Sequence, residues 1–163
     1  MRVRHSLLPV VLLLFTADAA NAASDLDGAF DREAIVIESS GNSCYRFDVY
    51  LALTIEQQRR GLMYVRRLPA FTGMLFVYDD AGPRSMWMKN TYIPLDIFFI
   101  RADGTVSSVA ERTEPQSLRS IASTEAVTFV LELNGGVSEA LRIDADSKVL
   151  LPAMLSITPI EPP

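Results

Sequence analysis

Beyond its first 23 residues the chain is a succession of short apolar and β-branched runs separated by turn residues, with no long stretch of helical periodicity. That pattern confines it to a fold built mainly of short strands. The runs are Ala34–Glu38, Tyr45–Leu51, Gly73–Tyr78, Met86–Thr91, Leu95–Arg101, Thr105–Val109, Ala126–Leu133, Lys148–Leu151 and Met154–Ile157. Gly41-Asn42-Ser43 and Asp103-Gly104 fall between pairs of them and predict hairpins. Thr54-Ile55-Glu56-Gln57 reads as a capping box opening a helix over 55–60 that stops at Gly61. A second short helix is expected within 134–142, weakened by Gly135-Gly136. The expected class is α+β, predominantly antiparallel β, with one or two short helices. A small, partly closed barrel-like sheet and a sheet with helices at one end both satisfy the pattern. The barrel-like form is the expectation taken forward.

The first 22 residues are read apart from this domain. Arg2, Arg4 and His5 precede an apolar run, Leu7 to Phe15, followed by Ala17-Asp18-Ala19 and Ala20-Asn21-Ala22. A charged start, a short apolar stretch and small-residue cleavage sites have the layout of a secretory signal peptide. The run is less than half of the roughly 20 apolar residues that a membrane span needs. The expected organisation is therefore a signal peptide at 1–22, a flexible lead-in at 23–33, one globular domain at 34–158 and a tail at 159–163. A periplasmic or secreted location follows, with no transmembrane span in the mature chain.

Composition then narrows the chemistry. The chain carries 15 Lys and Arg against 20 Asp and Glu, a net charge of −5. Losing the leader removes Arg2, Arg4 and Asp18 and makes the charge −6. No basic stripe offers itself to nucleic acid, so no nucleic-acid partner is expected. A lone cysteine, Cys44, closes no internal disulfide. The only histidine, His5, leaves with the leader. A mature domain without imidazole excludes histidine zinc sites and Ser-His or Cys-His nucleophile pairs. No motif asks for a cofactor.

The densest group of candidate residues runs from Gln57 to Asp96. Arg59 and Arg60 end the predicted helix, where cations complement the exposed carbonyls; Arg60 could instead hold an anion or a buried carboxylate. On a strand, Met86, Met88 and Asn90 would share one face while Trp87, Lys89 and Thr91 share the other. Such mixed faces suit either core packing with Lys89 directed outward or a pocket wall built on Trp87. Asp96 and Glu132 lie within apolar runs and must be hydrogen-bonded, paired or shifted in pKa. Met63, Met74, Met86 and Met88 add soft thioethers of the kind that select Cu(I), although methionine more commonly fills core gaps.

Taken in order, Thr54-x-Glu56-Gln57-x-x-Arg60-Gly61-Leu62-Met63, Gly73-Met74-Leu75-Phe76-Val77, Trp87-Met88-Lys89-Asn90-Thr91-x-x-Pro94-Leu95-Asp96 and Val130-Leu131-Glu132-Leu133-Asn134-x-Gly136 resemble the domain of unknown function 192 family. That family comprises small exported or membrane-tethered bacterial and archaeal proteins. The resemblance spans about 34–157 and implies a compact, mostly β domain with no assigned reaction. It places Arg60, Met63, Trp87, Met88, Lys89, Asn90, Asp96 and Glu132 around any shared site. Two departures stand out: Val65, where many members carry Arg, and Ile143-Asp144-Ala145-Asp146-Ser147, which lacks the usual glycines.

Three functions compete at this point. The first is a ligand-binding or accessory module whose pocket is lined by Trp, Met and Arg, with a small molecule or an envelope protein as partner. The second is a hydrolase using Asp96 and Glu132, which requires the two carboxyls to converge within about 5–9 Å. The third is Met-based Cu(I) handling. The sequence leans away from an enzyme.

Overall fold

The computed structural model describes residues 26–152 and residue 155. Among the described residues, nine strands and two short helices follow in the order β1 (Asp31–Glu38), β2 (Cys44–Ala52), α1 (Ile55–Arg60), β3 (Thr72–Gly82), β4 (Ser85–Met86), β5 (Leu95–Ile100), β6 (Val106–Ala110), β7 (Ile121–Ala122), β8 (Val127–Asn134), α2 (Val137–Leu141) and β9 (Lys148–Leu150). Seven strands form one sheet in the order β6-β5-β8-β3-β2-β1-β9, and β4 and β7 form a separate two-stranded ribbon. All pairings are antiparallel except β2 with β3. The α1-containing connection between those two is the crossover that a parallel pair demands.

The sheet curls until its edges nearly meet. Thr105 bridges to Lys148, the Val149 amide donates to the Gly104 carbonyl at 2.8 Å, and the Val106 amide donates to Ser147 at 2.9 Å. Gly104 has φ 86°, and a Cβ there would collide with the Val149 carbonyl, so closure at this point requires glycine. The result is a nearly closed, predominantly antiparallel barrel with two short helices, the barrel-like of the two forms that the strand pattern allows.

Strand alternation sorts the apolar residues into two layers. Ile35, Ile37, Phe47, Val49, Leu51, Leu75, Phe98, Ile100, Val106, Phe129, Leu131, Leu133 and Val149 form one cluster. It draws on every strand of the large sheet, as the inside of a barrel must. The other cluster lies on the outer face of β2, β3, β5 and β8 and contains Tyr50, Met74, Phe76, Ile97, Phe99 and Val130. Leu26, Phe30, Leu62, Val65, Leu68 and Met88 cover it. This second layer explains why β5 and β8 are apolar on both faces and read as continuous runs.

Several expectations change. The predicted strand Met86–Thr91 is strand only at Ser85–Met86 and then turns, with Asn90 at φ 56°. Backbone groups that a longer strand would use in a ladder are taken by the 113–117 loop: the Met88 amide donates to Ser117 at 3.0 Å and the Gln116 amide to Thr91 at 3.0 Å. From Leu26 onward the expected flexible lead-in is packed. Leu26 and Phe30 are buried in the outer layer, and β1 begins at Asp31. The Ile143–Ser147 turn closes without glycine because Asp146 takes φ 73° and the Ser147 hydroxyl accepts from the Asp144 amide at 3.1 Å. Cys44, at the start of β2, is a free, exposed thiol. The leader, the tail and the predicted strand Met154–Ile157 lie outside the described residues, apart from buried Leu155.

Candidate functional site

A cleft of about 240 Å³ opens on the outer face of the barrel, between α1 with its following turn and the 85–91 segment. Local chemistry builds both walls. The Thr54 hydroxyl accepts from the Gln57 amide at 3.2 Å and the Gln57 side chain accepts from the Thr54 amide at 3.0 Å, completing the capping box. The Gln57 side-chain amide also donates to the Ala29 carbonyl at 3.0 Å, tying α1 to the covering segment. Gly61 ends the helix at φ 48°, and a Cβ there would press on the Phe76 ring at 3.3 Å. The chain can therefore turn tightly over Phe76 and carry Met63 along the cleft. The two walls are joined where the Tyr64 amide donates to the Asn90 carbonyl at 2.8 Å and the Asn90 side chain donates to the Tyr64 hydroxyl at 3.0 Å.

The floor is Phe76 and Glu132, both buried, on neighbouring strands β3 and β8. Met63, Met86, Tyr78 and Arg60 are half-buried walls, while Arg59, Trp87 and Lys89 stand at the exposed rim. The Lys89 ammonium sits 5.2 Å above the Trp87 ring. The Arg60 guanidinium lies 5.3 Å from the Phe30 ring, so its stem helps seal the outer layer. Tyr78 is stacked under Arg84 at 4.0 Å, and burial holds its hydroxyl above the usual phenol range.

Glu132 is the chemical oddity of the cleft. It is 4% exposed, and among the described residues its carboxyl has no hydrogen-bond or ion-pair partner. Burial pushes its pKa up to about 8, so the group is largely a neutral acid at pH 7. Asp96 is equally buried and wholly different. Its two oxygens accept from the amides of Arg112 at 2.7 Å, Gly136 at 2.9 Å and Ser138 at 2.8 Å, fixing the 111–113 loop against the start of α2.

Of the eight residues singled out by sequence, the cleft gathers five: Arg60, Met63, Trp87, Lys89 and Glu132. Asn90 works behind the wall as the brace to Tyr64. Met88 points into the outer core, where its sulfur accepts from the Thr113 hydroxyl at 3.1 Å. Asp96 lies on the opposite side of the sheet. In the β5–β8 register Ile97 faces Glu132 and Asp96 faces Leu133, so the two carboxyls project from opposite faces. That removes the proposed Asp96–Glu132 catalytic pair. The Met86–Met88 copper face fails with the strand that would have made it, and Met74 is buried away in the core. Among the described residues no group of three His, Cys, Asp or Glu could hold a metal ion. Met86 joins the cleft as the expected methionine lining implies, whereas Phe76 and Tyr78 are not among the residues singled out by sequence. The alternation Met74, Phe76, Tyr78 along β3 was the available signal for these two.

The model of domain of unknown function 192, described as "Uncharacterized ACR", matches residues 35–151. The chain belongs to this family. Two solved structures share its fold with the domain of unknown function 192 chain described here. One is a Sinorhizobium meliloti 1021 protein named as a "putative transcription regulator", 36% identical, covering 74% of this chain and 94% of its own, with a TM-score of 0.73. The other is a protein of unknown function from Novosphingobium aromaticivorans DSM 12444, 30% identical, covering 74% of this chain and 85% of its own, with a TM-score of 0.71. No curated protein matches the chain.

Proposed function

We propose that this domain of unknown function 192 protein is an exported binding or accessory module whose cleft takes a small organic ligand. The observation that carries the reading is the buried carboxyl of Glu132, without a partner among the described residues, under a rim of Trp87, Lys89 and Arg59. Leaving such a group unsatisfied costs stability, and a ligand that meets it recovers that cost on binding. The regulator name of the Sinorhizobium relative finds little support in a chain of net charge −5. Export rests on the leader pattern at 1–22 and is tested by cell fractionation with N-terminal sequencing, which should find the mature protein beginning after Ala22.

The chain has a single tryptophan, Trp87, so its emission reports the state of the cleft rim directly. A fragment library screened by thermal shift and by Trp87 fluorescence should yield a compound class that moves both signals in the wild type. Trp87→Ala should lose the thermal shift. If no class moves either signal, the binding reading falls.

A further inference from the structure

The charges of the cleft are separated along its depth: an acid at the bottom, bases at the mouth. Glu132 is on the buried floor, and Lys89 and Arg59 stand exposed at the rim. Phe76 shares the floor with Glu132, and the half-buried Met63 and Met86 line the walls. Resting on the reading of this cleft as a ligand site, we propose that it holds a zwitterion the size of one amino acid. Its ammonium group sits at Glu132 and its carboxylate between Lys89 and Arg59.

Each part of the ligand answers an observation. A largely buried carboxyl without a partner among the described residues gains most from a cationic donor, which pairs with the ionised form where the surrounding protein weakens solvent screening. The Phe76 ring lines the cleft beside it. A simple cation would still have to pass two positive side chains at the rim, and a simple anion would leave the floor carboxyl without the counter-charge that favours its ionised form. A dipolar molecule oriented along the cleft satisfies both ends at once. The volume, about 240 Å³, is below the roughly 300–1,000 Å³ of sites for drug-sized ligands, which suits a ligand on the scale of a single amino acid. The apolar lining accommodates an aliphatic or thioether side chain.

The test uses the full chain and the standard L-amino acids as probes, read by Trp87 fluorescence and by melting temperature. At least one apolar amino acid should bind. Its N-acetyl and its carboxamide derivatives should each bind about tenfold or more weakly, since each loses one charged contact. Glu132→Gln should abolish the discrimination against the N-acetyl form. Lys89→Gln, on an exposed residue and safe for folding, should reduce the discrimination against the carboxamide. If N-acetyl and parent compounds bind alike, the zwitterion proposal is overturned. It is overturned equally if no amino acid binds while apolar or anionic fragments from the screen do, and then the cleft survives as a site of another class. Silence from amino acids and fragments together removes both readings.

Discussion

Asp96 and Glu132 are neighbours in register and opposites in circumstance. They stand on adjacent strands, both almost fully buried, one on each face of the same sheet. Asp96 on the inner side has three backbone amides directed at it. Glu132 on the outer side has no partner among the described residues. A buried carboxylate saturated by amides stabilises the chain and has little capacity left for a ligand. One left unsatisfied at the foot of a cleft weakens the fold by its presence, and the open cleft above it supplies the reason to keep it.

The contrast can be broken most forcefully at Asp96. Asp96→Ala should lower unfolding free energy in urea by about 3–5 kcal/mol, because three buried amide donors lose their acceptor together. A loss below about 1 kcal/mol would mean that water takes over that role. Next in size is the Trp87-Met88 pair. Met88→Ala should cost about 2–5 kcal/mol, as expected for a fully buried methionine, whereas Trp87→Ala, at a half-exposed rim position, should cost less than about 1 kcal/mol. Equal losses would place Trp87 in the core after all.

Glu132 offers the finest discrimination, through pH. Its carboxyl keeps its proton in the folded state up to about 8, while the unfolded chain releases it near the ordinary value of 4.5. Between those values the folded protein binds more protons than the unfolded one, so stability falls as pH rises, by at most about 1.4 kcal/mol per unit. The stability is fully present below about pH 4.5 and the loss is complete above about pH 8. No histidine lies among the described residues to obscure this window. Chemical denaturation at intervals across it should give a falling slope for the wild type that Glu132→Gln removes. A slope unchanged in the variant would mean that Glu132 ionises normally.

Much of this was legible in the sequence, and the limits have physical causes. The helix Ile55–Arg60 matches its capping box to the residue because all of its signals are local. Strands β2, β5 and β8 follow from β-branched and aromatic runs, and the hairpin after Ile100 from Asp103-Gly104. The Trp87–Thr91 segment misled because apolar residues there resemble a strand, while its backbone is committed to a loop more than 20 residues away. The two-residue strand β7 leaves too short a pattern to recognise. For Asp96 and Glu132 the sequence offered two carboxyls in apolar strands. Which face each occupies depends on cross-strand register, a long-range property that neither strand encodes alone.

The seam between Gly104 and Val149 has a consequence for how the chain is made. Among the described strands of the sheet, Lys148–Leu150 is the last to be synthesised. Until then a nascent chain carries two bare margins, the free side of β1 and the free side of β6, each able to recruit a stray extended segment from a neighbour. A strand of only three residues thus acts as the clasp that ends this vulnerable interval.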